Sequence, residues 1–486
     1  MMMRFRNVVC CVLCALASLV PVSIARAQNP VTITGDAPFA KNEEIRLLVY
    51  DDLLNNIPKV VATGKIDKNG HFKITYPTNT IRQVQLVIRT TKADFFVAPF
   101  HEYNFHISVD TALFGMINPE KYGGFLQIST DQIDTADLNY KINRFTRYFD
   151  RAMNVYGFKI TYDRNRDACD TLMQLLDDRF HIQYNPDNFY DSYVYYTCGL
   201  VDKLCKPKET RYLHDRYFNF NDVLYDNPAY MILFNNFYSN YLYNSKYISK
   251  DLLTQTINES PDYLTLFNEA GRDPMLVNDR FRELVIIRSI IDFYGNEEFD
   301  KANILTLLKY IQDASRFPEH VIFARNAVRM LSPVADENTR ISLRNEKGKK
   351  TDFKQFDGKD IYIQVFQSDC IDCIREMLIL KELNKQFGDK IQFVSLNVDM
   401  RKSDYEQFCK TYKDRFDWPI LYFNDNYNWL MMNSVETLPD YLIVNSDGQV
   451  IFRDAPAPDK GLSDYLLRRF PPEEDDDGNP LFQNRR

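Results

Sequence analysis

Two cysteines near the C-terminal end of the sequence have the spacing of a reactive pair. Cys370 and Cys373 are separated by two residues, follow an apolar run at 361–366 and open a helical pattern at 374–387. Thiols at this spacing can form a reversible disulfide, and the first would lie at a helix N-terminus, where unpaired N–H groups and the helix dipole stabilise a thiolate. A single CxxC can also be half of a zinc site, so its chemistry depends on the compartment and on the surrounding residues.

The N-terminal residues 1–27 have the pattern of a cleavable signal peptide. Two arginines precede an apolar run at 8–20, and Ala25 and Ala27 place small residues at the two positions that a signal peptidase reads. We expect cleavage after Ala27 and export to the periplasm. The apolar run is short for a membrane span of about 20 residues and ends at Pro21, which argues against an anchor. Export would allow cysteines to oxidise, so the CxxC could hold a redox couple.

The six cysteines beyond this segment are Cys169, Cys198, Cys205, Cys370, Cys373 and Cys409. No second CxxC and no paired histidines supply the remaining ligands of a zinc site, so we expect no metal and no cofactor. On one continuous helix Cys198 and Cys205 would lie about 10 Å apart, too far to bond each other, whereas Cys169 could reach either one. Buried free thiols, Cys409 included, are the default expectation, and a structural disulfide among the first three is the alternative.

Length and charge describe an acidic protein of several domains. The 486 residues are too many for one ordinary core, and the hydrophobic share of 45% is that of a globular chain. The net charge of −8 argues against a nucleic-acid-binding surface. The acidic tail at 471–486 cannot pack, and we expect it to be disordered.

Two different sequence periods divide the chain before the CxxC. Residues 28–130 contain short, alternating β-branched and aromatic segments, with a hairpin turn signal at 67–70, and predict an antiparallel β-sandwich. Residues 131–335 carry apolar residues at three- and four-residue steps, with prolines between the runs or at their starts, and predict an all-α domain. Its many tyrosines and phenylalanines favour packing between helices, with a partner groove as the alternative.

Residues 336–470 alternate strand and helix patterns and end in a β-hairpin and a helix, which predicts an α/β arrangement. This segment resembles the thioredoxin superfamily and, within it, the exported TlpA-like disulfide reductases. The pieces that carry the resemblance occur in the family's order: Phe356-Asp357-Gly358-Lys359, the CxxC, Asn397-Val398-Asp399, Trp418-Pro419, Thr437-Leu438-Pro439 and Asn445-Ser446-Asp447-Gly448. The order of the domains also resembles an arrangement common in exported proteins of Bacteroidetes.

The resemblance implies roles for individual residues. Cys370 would be the exposed nucleophile and Cys373 the buried resolving thiol. Pro439 would be a cis-proline that faces the CxxC and, with Leu438, leaves room for an extended substrate backbone. Glu376 matches a glutamate that tunes thiol ionisation in the family, and a solvated carboxylate in the first turns of the helix is the alternative.

Three positions depart from the family pattern. Asp369 stands where tryptophan is usual, Asp372 stands where proline is common between the cysteines, and Gln364 stands where many members carry a buried aspartate. The two aspartates flank the nucleophile on the expected substrate-binding surface, and their charge should oppose the helix dipole and raise the pKa of Cys370. A thiolate that forms less readily corresponds to a more reducing couple, so we predict a reductant or disulfide exchanger rather than a strong oxidase.

The sequence therefore predicts an exported thiol-disulfide oxidoreductase that acts on protein thiols and disulfides through Cys370 and Cys373. The expected partners are protein substrates, and the prediction is compatible with an upstream electron donor in the membrane. We expect no nucleic-acid partner. The main alternative is a non-catalytic periplasmic binding protein in which the CxxC is a static disulfide. A peroxidase is disfavoured, because Gln367 stands where a peroxiredoxin needs threonine.

Overall fold

The computed structural model describes residues 30–88, 91–109, 126–131, 134–219, 222–331, 341–356, 358–399, 402–412, 415–423, 429–430, 433, 435, 438–445, 449–453 and 455–471. Several predicted features lie outside these ranges: the signal peptide at 1–27, the motif residues Asp357, Thr437 and 446–448, and the tail beyond residue 471.

The N-terminal domain consists of two four-stranded sheets around one apolar core. Its strands are β1 (Pro30–Asp36), β2 (Glu44–Tyr50), β3 (Pro58–Lys65), β4 (His71–Pro77), β5 (Arg82–Ile88), β6 (Thr91–Val97), β7 (Glu102–Val109) and β8 (Leu126–Ser129). The strand orders are β4-β1-β7-β8 and β3-β2-β5-β6. In β4, Phe72 and Ile74 are buried and alternate with exposed residues, the period of a strand with one buried face. The predicted sandwich is confirmed, with one parallel pair, β1 with β7, among the antiparallel ones.

The turn predicted at 67–70 forms, but the strands on its two sides pair elsewhere. Asp67 Oδ1 accepts hydrogen bonds from the backbone N–H groups of Asn69 (2.7 Å) and His71 (2.9 Å), and Gly70 has a φ of 99°. β3 is bonded to β2, whereas β4 is bonded to β1 in the other sheet. The hairpin prediction was wrong because a turn signal specifies where the chain reverses and not which strands pair.

The central domain is helical, as predicted. Its helices are α1 (Leu138–Thr161), α2 (Arg166–Phe180), α3 (Phe189–Cys205), α4 (Thr210–Tyr217), α5 (Pro228–Phe237), α6 (Tyr241–Asn244), α7 (Lys250–Thr254), α8 (Tyr263–Ala270), α9 (Asp279–Phe293), α10 (Lys301–Ala314) and α11 (Pro318–Leu331). Many begin after an Asn or Asp whose side-chain oxygen accepts a hydrogen bond from a first-turn N–H, which sets the helix start. These capping residues include Asp137, Asn165, Asn188, Asn227, Asn278 and Asp300.

The aromatic residues of the helical domain pack against one another. Tyr196, Tyr230, Phe234 and Tyr238 are at most 1% exposed, and the ring centroids of Tyr196 and Tyr230 lie 4.8 Å apart. The Tyr238 hydroxyl lies 2.6 Å from Nδ1 of His214, so this polar group has a partner inside the core. The packing interpretation is confirmed for these residues.

A disulfide joins Cys169 near the start of α2 to Cys205 at the end of α3, with their Cα atoms 5.9 Å apart. The expectation of free thiols was therefore wrong for these two cysteines, because the packing of α2 on α3 brings together residues that are 36 positions apart. Cys198 is buried and free, and its burial raises the pKa of its thiol to about 12. Cys409 is free and partly buried.

The loop between β2 and β3 inserts into the helical domain. Leu54 at its tip is 4% exposed and belongs to the helical core. Asn55 Nδ2 donates to the carbonyl of Phe323 (3.1 Å), and Asn326 Nδ2 donates to Oδ2 of Asp52 (2.6 Å). These contacts fasten the β domain to α11, which carries both partners.

The C-terminal domain is built on one seven-stranded sheet. Its strands are β9 (Leu343–Arg344), β10 (Lys350–Thr351), β11 (Ile361–Phe366), β12 (Gln392–Asn397), β13 (Ile420–Tyr422), β14 (Asp440–Val444) and β15 (Val450–Phe452). Its helices are α12 (Ile371–Phe387), α13 (Lys402–Tyr412) and α14 (Leu462–Arg469). The strand order is β10-β9-β13-β12-β11-β14-β15, in which β11 runs parallel to β12 and antiparallel to β14.

The central strand β11 is buried on both faces of the sheet. Tyr362 and Phe366 pack in a core with residues of α12 and α14, whereas Ile363 and Val365 pack in a second core on the other face. Because both faces of β11 are buried, the run before the CxxC is apolar at every position except Gln364. The predicted fold class, a β-sandwich followed by an all-α domain and an α/β thioredoxin-like domain, is confirmed.

Candidate active site

The CxxC lies where β11 turns into α12. Cys370 is the N-cap of α12, and its Sγ accepts a hydrogen bond from the backbone N–H of Cys373 (3.1 Å). The two cysteines form a disulfide with their Cα atoms 5.2 Å apart. In this oxidised pair Cys370 is 5% exposed and Cys373 is fully buried, whereas Ile371 between them is 81% exposed. Cys370 is thus not the exposed residue that we expected, because its sulfur points back at the first turn of α12.

The loop before Cys370 is held by an aspartate from the end of β12. The backbone N–H of Ser368 donates to Asp399 Oδ1 (3.0 Å), and the Ser368 hydroxyl donates to Asp399 Oδ2. Asn397 Nδ2 donates to the same Oδ2 (3.1 Å). Burial raises the pKa of Asp399, although these hydrogen bonds oppose the shift. Asn397-Val398-Asp399 was recognised in the sequence only as part of a family motif, and no sequence signal indicated that Asp399 positions the CxxC loop.

Gln364 takes part in a buried chain of hydrogen bonds that ends at the CxxC. Its Nε2 donates to the backbone carbonyl of Cys373 (3.0 Å), and its Oε1 accepts from the hydroxyl of Ser395 (3.2 Å). Trp418 Nε1 in turn donates to the Ser395 oxygen (2.9 Å). The uncharged amide of Gln364 on β11 therefore fixes the first turn of α12 by a hydrogen bond, at a position where many family members carry an acid. Ser395 and Trp418 were not predicted to take part.

Glu376 is a buried carboxyl group on the same helix as the cysteines. It is 6% exposed, and its Oε2 accepts a hydrogen bond from the hydroxyl of Tyr441 in β14. Burial raises its pKa, and the negative charge of Asp459 raises it further. The alternative of a solvated carboxylate is therefore wrong. Since residues three apart share a face of a helix, Glu376 lies next to Cys373.

The Leu438–Pro439 peptide bond is cis. Pro439 directly precedes β14, whose first residue Asp440 pairs with Val365 near the end of β11. Leu438 packs against the apolar cluster that contains Cys370 and Cys373. The structure therefore brings this segment to the same edge of the sheet as the CxxC.

The two aspartates beside the nucleophile face solvent. Asp369 and Asp372 are both exposed, and Asp372 forms an ion pair with Arg375 one turn along α12 (3.1 Å). This arginine offsets part of the negative charge that we expected to act on Cys370. The charge of an exposed pair is also screened by solvent and salt.

Metal binding and membrane insertion depend on features that the described ranges lack. No group of three or more His, Cys, Asp and Glu side chains gathers there as ligands for a metal ion. Within the same ranges, no helix combines the length and apolar character needed to cross a lipid bilayer.

Comparison with known proteins finds similarity in the C-terminal domain. Residues 333–466 match the family model described as Redoxin. Thiol-disulfide oxidoreductase ResA from Bacillus thuringiensis subsp. konkukian (strain 97-27) and from Bacillus cereus (strain ATCC 10987 / NRS 248) are each 26% identical to this chain over 106 residues. The matched region covers 22% of this chain and 60% of each relative.

Two solved structures show similarity over the same part of the chain. The thioredoxin domain of a thiol-disulfide oxidoreductase from Bacteroides vulgatus is 18% identical, with a TM-score of 0.24, and the match covers 27% of this chain and 92% of that one. A thiol:disulfide interchange protein from Bacteroides sp. is 18% identical, with a TM-score of 0.24, and the match covers 26% of this chain and 84% of that one.

Proposed function

Because the C-terminal domain is thioredoxin-like and carries a disulfide at the start of α12, we propose that this protein is an exported thiol-disulfide oxidoreductase. It acts on disulfides of other proteins through Cys370 and Cys373, in the periplasm, as a reductant or disulfide exchanger. The observation that carries the proposal is the Cys370–Cys373 disulfide at a helix N-terminus, with the buried carboxyl group of Glu376 on the same face.

The reaction moves two electrons from the reduced pair to a substrate disulfide. The thiolate of Cys370 attacks one sulfur of the substrate, a mixed disulfide forms, and the first substrate sulfur leaves as a thiolate that takes a proton. The thiolate of Cys373 then attacks Cys370 Sγ, the enzyme disulfide forms, and the second substrate sulfur leaves. The substrate gains two thiols while the enzyme loses two. An electron donor, which we propose to be a membrane protein, must then restore the dithiol.

The N-terminal and helical domains are joined to each other by direct contacts. The β2–β3 loop is buried in the helical core through Leu54, and Asn326 binds the loop through Asp52. We propose that these two domains present protein substrates to the CxxC.

Reduction of insulin by dithiothreitol tests the proposal. The wild-type protein should accelerate precipitation of the insulin chains, and Cys370→Ser should abolish the acceleration because the thiol that attacks the substrate disulfide is gone. Cys409→Ser is the matched control: it removes a free cysteine of the same domain and should keep wild-type activity. Equal rates for wild type and Cys370→Ser would overturn the proposal.

A static disulfide in a binding protein is the second candidate, and the 5% exposure of Cys370 favours it. Trapping discriminates between the two. A Cys373→Ser protein should accumulate a mixed disulfide between Cys370 and its substrate, which mass spectrometry would identify. A trapped partner supports the oxidoreductase, whereas a CxxC that dithiothreitol cannot reduce in the folded wild-type protein supports the binding protein.

Export and redox direction have separate tests. N-terminal sequencing of the mature protein should begin at Gln28, the residue after the proposed cleavage site. A reduction potential measured against glutathione should lie at the reducing end of the range for such proteins, near the about −270 mV of thioredoxin. A potential near the about −120 mV of a periplasmic oxidase would contradict the proposed direction.

A further inference from the structure

We propose that Tyr441 is a positioning residue for Glu376: its hydroxyl holds one carboxyl oxygen, so that the other can exchange a proton with the thiol of Cys373. This inference rests on the proposed function, because it concerns the step in which Cys373 resolves the mixed disulfide.

Tyr441 comes from a different element and has a fixed orientation. It is the second residue of β14, pairs in register with Gln364 of β11, and is 6% exposed. Its ring stacks on that of Tyr362, with the centroids 5.8 Å apart. The backbone carbonyl of Tyr441 also accepts a hydrogen bond from the N–H of Ala455 (3.0 Å). The hydroxyl is therefore presented to Glu376 from a rigid strand.

The hydroxyl of Tyr441 binds one side of the carboxyl group only. It donates to Oε2, and Oε1 of Glu376 has no hydrogen-bond partner among the residues that the structure describes. Glu376 follows Cys373 by three positions on α12, and Tyr441 shares an apolar cluster with both cysteines of the CxxC. One oxygen is thus fixed by β14, whereas the other accepts no hydrogen bond from a described residue, on a side chain that lies about one helical turn from Cys373.

No other described acid near the CxxC suits this step. Gln364 cannot accept a proton, and the carboxyl of Asp399 is bound by Ser368 and Asn397 on the loop before the cysteines. Besides Tyr441, the charged and titratable groups around Glu376 are Asp372 and Arg375 on its own helix α12, Asp459 and Lys460 before α14, and Tyr362 on β11.

These neighbours leave Glu376 with a raised affinity for a proton. Burial raises its pKa most, Asp459 and Asp372 add to the shift, and Arg375 and Lys460 oppose it. The hydroxyl of Tyr362 does not bind Glu376 but donates a hydrogen bond to the carbonyl of Pro456 (2.8 Å).

In the mixed disulfide the carboxylate of Glu376 takes the proton of the Cys373 thiol, the thiolate attacks Cys370 Sγ, and the proton passes to the departing substrate sulfur. The step conserves protons and needs no further reactant.

The test is the pH dependence of insulin reduction by the full chain. The carboxylate form of Glu376 is the active one, so the rate should fall as the pH drops through its pKa. Tyr441→Phe removes a hydrogen bond to the charged form and should move this fall to higher pH by about one to two units. At a pH near the wild-type midpoint the rate should drop about tenfold, and at high pH the two rates should converge.

Tyr362→Phe is the matched control, because it removes the hydroxyl of the stacked neighbour without touching Glu376. It should change the melting temperature but not the position of the pH limb. Glu376→Gln should remove the limb altogether, and adding Tyr441→Phe to it should change the rate no further. Glu376→Gln alone tests whether this carboxyl group sets the pH limb, even if Tyr441→Phe folds poorly.

Different results would overturn the proposed function and the positioning role of Tyr441. If the wild-type protein does not reduce insulin at any pH, the proposed function is wrong. If the wild type is active and the folded Tyr441→Phe protein has the wild-type pH profile, or if Glu376→Gln keeps the limb, the positioning role of Tyr441 is wrong while the oxidoreductase stands.

Discussion

The Cys169–Cys205 disulfide should stabilise the helical domain without affecting the thioredoxin-like domain. Replacing both cysteines by serine frees a loop of 36 residues in the unfolded chain. The loop-closure entropy for that length corresponds to about 4 kcal/mol at 25 °C, with a range of about 2–5 kcal/mol for native disulfides. For a denaturant slope of about 3 kcal/mol/M, the urea midpoint of the helical domain should fall by roughly 1–1.5 M.

Two spectroscopic probes separate the domains. Far-ultraviolet circular dichroism follows mainly the helices, whereas the chain has two tryptophans, Trp418 and Trp429, both buried in the C-terminal domain. The circular dichroism midpoint of the double variant should fall by the predicted amount, and the tryptophan fluorescence midpoint should not move. Cys198→Ala, which removes a buried cysteine of α3 but no cross-link, is the control for loss of side-chain volume.

Peptide mapping must first show the linkage in the wild type. A double variant whose circular dichroism midpoint then equals that of the wild type would refute stabilisation by this disulfide. A drop in the fluorescence midpoint of the same size would refute the independence of the two domains. Recovery of the linkage in protein isolated from cells would in addition support export, since such a bond persists in an oxidising compartment.

Three further predictions concern other parts of the chain. Leu54→Ala should cost about 2–5 kcal/mol of unfolding free energy, measured by urea denaturation, because it leaves a cavity in the helical core. Asp131 and Asp36 flank His106 and raise its pKa above the ordinary 6.5. The contribution of this histidine to stability is therefore full below pH 6.5 and is lost as the pH rises through the raised pKa. His106→Gln should flatten the pH dependence of the melting temperature. Asp369→Asn should raise the thiolate fraction of reduced Cys370 about threefold, seen as faster alkylation by iodoacetamide, because one screened negative charge is removed.

The thioredoxin-like domain could be predicted largely from local signals. The apolar run at 361–366 is long enough for a strand buried on both faces, and the helical period after Cys373 marks a helix. The family resemblance carried by the short motifs implied the cis-proline at 439, and the structure has this bond in the cis form. These features depend on residues that are near each other in sequence, or on a pattern that recurs along the chain.

Contacts between distant elements could not be predicted in this way. The hydroxyl that binds Glu376 belongs to Tyr441, 65 positions away, and no sequence pattern around either residue predicts this contact. Leu54 is an apolar residue in a turn, and only the arrangement of two domains shows that it fills the helical core. The Cys169–Cys205 pair needed the packing of α2 on α3 for the same reason.

The amide at position 364 divides two tasks that a single acid would combine. Gln364 donates to the carbonyl of Cys373, and because an amide stays neutral at every physiological pH, its hold on the first turn of α12 does not change with protonation. An aspartate there could donate to that carbonyl only when protonated, so positioning and proton exchange would compete for one proton. In the proposed reaction Gln364 keeps the backbone of Cys373 in place, while Glu376, held by Tyr441, is free to gain and lose the proton. A glutamine in place of the buried aspartate is therefore compatible with turnover. The pH dependence of the reaction then comes from Glu376 on α12, held by Tyr441 on β14, and not from a residue of β11.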